Sequence, residues 1–342
     1  MTEERLAVRR AVRASLADLE ANAPVLIACS GGADSLALAL AAADERRSTH
    51  RPTCAVVVDH GLQDDSAEVA RVAADACVRA GLGPVEIVRV EVVRGAGSGG
   101  MESAARDARR SALAAAAHRM KCAAILLAHT RDDQAETVLL RLARGSGARS
   151  LGAMAPVDGL WRRPLLDLPR SVVRASLGGE LAWDDPHNAD PTFARVRIRR
   201  SALPALVDAL GPDVVDGLAR SARLLRDDAD ALDDLADNAL AHLLIEVADG
   251  LAFDVSALAS LPRAVRTRLL RQAAVRAGVP AGDLTLAHVD RVEALVSDWH
   301  GQGAVDLPAN VGAWRAYDRL TFGRVASVSE RRDRTAQRAP EE

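Results

Sequence analysis

Residues 25–35 read VLIACSGGADS, and the rest of the chain is best approached from this run. The apolar stretch 25–29 follows Pro24 and has the length and character of a short buried strand. Two glycines come next, and an Ala/Leu-rich helix follows over 35–46. Glycines let backbone N–H groups approach an anion closely. A helix N-terminus supplies unpaired N–H donors and the positive end of the helix dipole. Ser30 and Ser35 can add hydroxyl donors. A glycine turn with an ordinary N-cap is the bland alternative. The strand–loop–helix context favours a cradle for phosphate or pyrophosphate built from Ser30, Gly31, Gly32, Ala33, Asp34 and Ser35. Asp34 is negative and does not suit direct phosphate contact, which leaves it as a Mg2+ ligand or a helix cap.

The same alternation continues outward. Strand-like runs occupy 54–58 (CAVVV), 85–93 (VEIVRVEVV) and 123–128 (AAILLA). Helical stretches occupy 66–80, about 102–121 and 132–144, with a glycine-rich loop at 95–100. Continuous apolar strands between helices predict a doubly wound, mostly parallel α/β sheet covered on both faces. A length of 342 residues exceeds what one core usually supports. The reading is an α/β domain over 1–211, a smaller, mainly helical domain over 212–328 with short strands at 303–322, and a charged, disordered tail at 329–342.

Composition narrows the function. Lys121 is the only lysine among 44 basic residues and is not in a G-x-x-x-x-G-K-[ST] context, which excludes a Walker loop. Arginine and alanine richness fits codon usage in a GC-rich genome better than selection for RNA. With a net charge of −3, any nucleic-acid face must be a local patch. Between 141 and 200 there are eleven arginines against six acids, and 195–200 reads RVRIRR. That segment is either an amphipathic element with a solvated basic face or a phosphate-contacting strip, and the local charge favours RNA. Arg263, Arg266, Arg268 and Arg271 form a second candidate patch. The four cysteines, at 29, 54, 77 and 122, show no C-x-x-C, which argues against a zinc ribbon, an iron–sulfur site or a redox pair. No apolar run reaches the roughly 20 residues of a membrane span, and the start is charged throughout, so a cytoplasmic protein is expected. Asp132, Asp133 and Glu136 open a helix, and Asp133 and Glu136 share a face. They suit either pairing with the helix dipole or holding a cationic amine and taking its proton.

The 30–35 hexapeptide resembles the PP-loop of the ATP pyrophosphatases, which split ATP into AMP and pyrophosphate. Further segments resemble the tRNA(Ile)-lysidine synthetases within that group. They are Asp59-His60-Gly61-Leu62, the helix Glu102-Ser103-Ala104-Ala105-Arg106-Asp107-Ala108-Arg109, and 128–137 (AHTRDDQAET). Arg163-Pro164-Leu165-Leu166, 183–188 (WDDPHN) and 195–199 (RVRIR) complete the set, in the family's order over about 24–205. Gln63 stands where the family has arginine, Thr130 where it has a second histidine, and Val196 where it has asparagine; Pro186-His187 also depart from its pattern.

The resemblance implies ATP and Mg2+ as cofactors, and as partners free L-lysine and a tRNA(Ile) with a CAU anticodon. It implies adenylation of the wobble cytidine at O2, then attack of the lysine ε-amine at C2 with release of AMP. The codon read would change from AUG to AUA, and the tRNA identity from Met to Ile. Asp34 would hold the metal, and Asp34, Arg109 and Asp133 would serve catalysis. The loop 30–35, the strand ends at Ile27 and Ala28, and Asp59 would hold the nucleotide. Arg106, Arg109, His129, Asp133 and Glu136 would face the substrates, with Arg195, Arg197 and Arg199 toward tRNA. The alternative is another PP-loop tRNA-modifying or amide-forming adenylating enzyme. Oligomeric state is left open, a homodimer included.

Overall fold

The computed structural model describes residues 2–61, 65–90, 100–145, 147–183, 190–248 and 250–324. Leu62, Gln63, residues 95–99, 184–189 and the tail from 325 lie outside them. The chain divides into two compact units, Met1–Arg226 and Asp227–Glu342. At the boundary expected near 211, the helix Leu203–Leu210 ends at Gly211 with a positive φ of 96°. The division by contacts falls further on, inside the long helix Val214–Leu243.

In the first unit, α1 (Glu3–Ser15) precedes β1 (Val25–Ala28), α2 (Ala33–Thr49), β2 (Thr53–Asp59), α3 (Ser66–Ala80) and β3 (Val85–Arg89). Then come α4 (Gly100–Arg119), β4 (Ala124–Leu126), α5 (Arg131–Leu142), α6 (Ala148–Leu151), β5 (Val157–Asp158), β6 (Trp161–Arg162) and α7 (Arg170–Ala175). The unit's later helices include α8 (Ala194–Arg197), which runs through a π-helical turn at Ile198–Ala202 into α9 (Leu203–Leu210). Among the described residues the sheet order is β3-β2-β1-β4-β6-β5, parallel except for the β5–β6 pair. Both faces are covered, which is why β1 and β2 can be apolar without alternation. Val25, Ile27, Val57, Leu126 and the buried side of α2 fill one face, with Val8 and Val12 of α1 beyond it. Leu26, Cys54, Val56 and Ile125 fill the other, against Leu113, Ala116 and Ala117 of α4.

Salt bridges fasten α1 to α2. Arg5 meets Asp44, and both Arg9 and Arg13 meet Glu45. This fixes α2, and with it the loop that opens it. The chain winds from β1 to β2 and β3 on one side and returns through β4 on the other. The carboxyl ends of β1 and β4 are therefore the topological switch point, where open α/β sheets form their binding crevice.

The second unit holds α11 (Val255–Ser260), α12 (Arg263–Arg276) and α13 (Leu286–Ser297). Its strands are β7 (Ile245–Val247), β8 (Gly250–Asp254), β9 (Val305–Leu307), β10 (Val311–Ala316) and β11 (Arg319–Arg324). They form a five-stranded antiparallel sheet in the order β7-β8-β11-β10-β9. The strands expected at 303–322 are there. The β7–β8 hairpin lies in a stretch read as helical, because a three-residue strand leaves too short a period-2 pattern to show. Phe253 and Phe322 meet edge-to-face at 6.1 Å at the centre of this unit. The proposed basic patch on α12 is occupied locally. Arg263 pairs with Asp290, Arg266 with Glu293 and Arg268 with Asp233, while Arg271 donates to the carbonyls of Ala281 and Leu284. No described helix is long and apolar enough to cross a membrane.

Leu126 ends β4 fully buried, and the chain then emerges at the crevice. Leu126→Ala leaves a cavity there and should lower the stability of the first unit by about 2–5 kcal/mol. Denaturant unfolding followed in the full chain measures the loss.

Candidate active site

The crevice is a cavity of about 630 Å³. It is lined by Ser30, Gly32, Ala33, Asp34 and Ser35, by the end of β2 through Asp59 and His60, by Arg106 and Arg109, and by His129, Asp133, Arg195 and Arg199. Most of the expected site residues thus converge. Ala28 lines the cavity, while Ile27 is wholly buried in the core and does not. Glu136 and Arg197 do not line it either.

The loop has a left-handed turn that only glycine adopts without strain. Gly31 has φ +82°, and a Cβ there would stand 3.1 Å from the Ala73 side chain. Its carbonyl accepts the Trp183 N–H at 3.0 Å, which ties the loop to the segment passing over it. Gly32 is the N-cap of α2 and has no side-chain cap. The Ser35 hydroxyl donates to the Gly32 carbonyl at 2.9 Å and accepts the Ser30 N–H at 3.1 Å. The helix-cap reading of Asp34 is therefore not realised. Instead its Oδ1 is buried with no hydrogen-bond partner, and burial pushes its pKa up against the pull of Arg170. An orphaned carboxylate oxygen beside a phosphate cradle fits Mg2+, which takes one or two protein carboxylates and completes its shell with phosphate and water.

Asp59 keeps its charge by a local turn. Burial pushes it up, but the Gly61 N–H at 2.9 Å and the Ser66 hydroxyl outweigh that, so it sits below its ordinary value. Arg109 is in the opposite position. Burial, followed by repulsion from Arg106, Arg195 and Arg110, lowers its pKa, and the charges acting on it are all positive. It is a cation placed to receive an anion.

The acidic residues at the start of α5 are organised by Thr130. The Thr130 N–H and hydroxyl each donate to Asp133 Oδ2 at 2.8 Å, and the Asp133 N–H returns to Thr130 Oγ1 at 3.4 Å. This is a capping box, and it accounts for threonine at the position where the family pattern has histidine. The other oxygen of Asp133 faces Arg170 at 2.6 Å and Arg199 at 3.4 Å. Burial raises the Asp133 pKa, but Arg170 and the Thr130 N–H bring it below its ordinary value. Glu136 is 0% exposed and meets Arg199 at 2.7 Å, Arg170 at 3.2 Å and Arg195 at 3.6 Å. The RVRIRR segment is thus a helix start, not a strand. Arg195 and Arg199 turn inward to Glu136, and Arg197 donates to the carbonyls of Pro191 and Thr192. Val196, between them, is buried.

Sequence reasoning passed over Arg170 and Arg174, which face Asp34 at 3.6 and 3.9 Å. One signal was available. Arg170 opens α7, and a cation in a first helical turn opposes the dipole unless an anion answers it.

His129 is held neutral. Burial, followed by Arg163 and the other nearby arginines, drives its pKa down to about 3 against the pull of Asp133. Its imidazole should show no NMR titration between about pH 5 and about pH 8. The unfolded chain takes up a proton below its ordinary value of 6.5 that the folded chain refuses, so this residue withdraws stability as pH falls from there toward about 3. Gly31→Ala should weaken nucleotide binding at least tenfold, read by calorimetry, since a Cβ there displaces the loop against α3.

Residues 5–206 match the model of the PP-loop domain, and residues 253–321 match that of the TilS substrate binding domain. A tRNA(Ile)-lysidine synthase of Thermobifida fusca is 54% identical over 304 residues, covering 88% of this chain and 92% of the relative. That of Streptomyces coelicolor is 51% identical over 303 residues, covering 87% and 84%. Among solved structures, the U34-tRNA thiolase NcsA from Methanococcus maripaludis superposes with a TM-score of 0.52 at 21% identity, over 64% of this chain and 78% of that one, a likeness of fold. With such identity along nearly its whole length, and with the cradle, acids and arginines assembled in one crevice, this chain belongs to the tRNA(Ile)-lysidine synthase family.

Proposed function

We propose that the chain joins free L-lysine to C2 of the wobble cytidine in the CAU anticodon of tRNA(Ile), converting ATP to AMP and pyrophosphate. The reaction would take place in the cytoplasm, where these substrates are found. In the first step, cytidine O2 attacks the α-phosphorus and pyrophosphate leaves. In the second, the lysine ε-amine attacks C2 and loses a proton, and AMP departs with O2. Both steps gather negative charge on phosphate, so preorganised donors are the main requirement. The loop N–H groups, Arg106 and Arg109 are suited to supply them. Asp34, with Ser30 and Ser35 nearby, would hold Mg2+, which neutralises phosphate charge when bound. Of the two buried acids, only Asp133 lines the cavity, so it is the group placed to meet the lysine amine.

The observation that carries this reading is the orphaned Asp34 oxygen beside the phosphate cradle, in one cavity with Arg109 and Asp133. The test is transfer of labelled lysine into a CAU-anticodon isoleucine tRNA transcript with ATP and Mg2+. Label should enter only when all components are present. Asp34→Ala should reduce incorporation by about 100-fold or more. AMP formation indifferent to both lysine and tRNA would overturn the assignment.

A further inference from the structure

Arg170 is the one described side chain in contact with all three carboxylates of the site, those of Asp34, Asp133 and Glu136. Its Nη2 donates to Asp133 Oδ1 at 2.6 Å and its Nη1 to Glu136 Oε1 at 3.2 Å. Its Nε faces Asp34 Oδ2 at 3.6 Å and makes no hydrogen bond. Its backbone N–H is anchored to Asp132 Oδ2 at 2.7 Å. Asp34 opens α2, the other acids open α5, and Arg170 opens α7. Neighbouring arginines contact one side only, Arg174 at Asp34 and Arg199 at Asp133 and Glu136.

We infer that Arg170 is a positioning residue that couples the nucleotide side of the cavity, at Asp34, to the amine side, at Asp133 and Glu136. The inference rests on the function proposed above for the meaning of the two sides. A guanidinium is a rigid planar fork, so leaning toward one partner draws it from another. With its main chain pinned at Asp132, the side chain can redistribute itself only among these three anions. Neutralising charge at Glu136 releases the fork toward Asp34, where it competes with a metal ion for the carboxylate. A lysine ammonium arriving at Asp133 would act in the same direction and loosen the nucleotide side once adenylation is complete. The coupling is reciprocal by linkage.

The test uses Glu136→Gln, because Glu136 is wholly buried, does not line the cavity and cannot touch nucleotide. Mg2+–ATP affinity is measured by titration calorimetry in the full chain. Glu136→Gln should weaken it by about tenfold, the scale of one redistributed charge-assisted contact. In an Arg170→Gln background the same substitution should have no effect. Should Arg170→Gln prevent folding, judged by thermal unfolding, Arg170→Lys replaces it. That variant keeps the charge without the fork and should reduce the effect severalfold. Tighter nucleotide binding in Glu136→Gln, or an effect that persists without Arg170, would overturn the coupling and point to release of Arg199 toward phosphate. In wild type, saturating free lysine should mimic Glu136→Gln. If lysine has no effect while Glu136→Gln does, the coupling stands and the lysine assignment fails.

Discussion

Two carboxylates, those of Asp133 and Glu136, are withdrawn from water at the carboxyl edge of a parallel sheet, with a third, Asp34, partly withdrawn beside them, and this is the constraint the site is built around. Buried anions are tolerated only when cations and N–H donors answer them. Here the answer comes from four arginines, 170, 174, 195 and 199, and from the converging N-termini of α2, α5 and α7. The compensation is uneven. Glu136 is satisfied and enclosed, Asp133 divides its oxygens between a helix cap and arginine, and Asp34 keeps one oxygen without a hydrogen bond, with Arg174 no nearer than 3.9 Å. That gradient, from filled to incomplete, runs toward the phosphate loop. Asp34 and Asp133 line the cavity, while Glu136 lies behind them.

The sheet makes this possible by its winding order. Because β2 and β3 lie on one side of β1 and β4 on the other, the loops leaving β1 and β4 diverge and open the crevice between them. Arg106 and Arg109 line the same cavity as Asp34 and Asp133, and Arg109 is acted on by the charges of other arginines. The cavity therefore carries both cationic and anionic side chains.

What could be read directly from residues was what depends on near neighbours. The strand–glycine–helix run at 25–35 needs only local geometry, and its position and backbone conformation follow from it. The acids of α5 were visible as a pattern, although their partners were not. Asp133 reads as either a partner of the helix dipole or a functional group, and the fold makes it a member of a capping box with its other oxygen on Arg170. Pairing across distance was not legible. RVRIRR carries the same charge whether it faces water, RNA or a buried glutamate, and only the fold decides that two of its arginines turn inward to Glu136. Arg170 sits in an unremarked P-R-S-V stretch, and its partners lie more than thirty residues away in the chain. Arg263, Arg266 and Arg268 of α12 were likewise absorbed by acids on other segments of their own unit, and Arg271 by backbone carbonyls.

The π-helical turn at Ile198–Ala202 bears on how the site can change over time. A π turn accommodates one more residue than the α-helical path, and removing it would restore ordinary helix. Arg195 and the Val196 contact lie before that point, and α9 begins after it. Deleting a single residue within the turn would restore ordinary α-helix and leave Arg195 and the helix that follows near their present phase, although Arg199, which also pairs with Glu136, lies inside the turn. The turn is thus a length buffer, a place where the chain has taken up one residue without shifting the upstream arginine from the acid it neutralises.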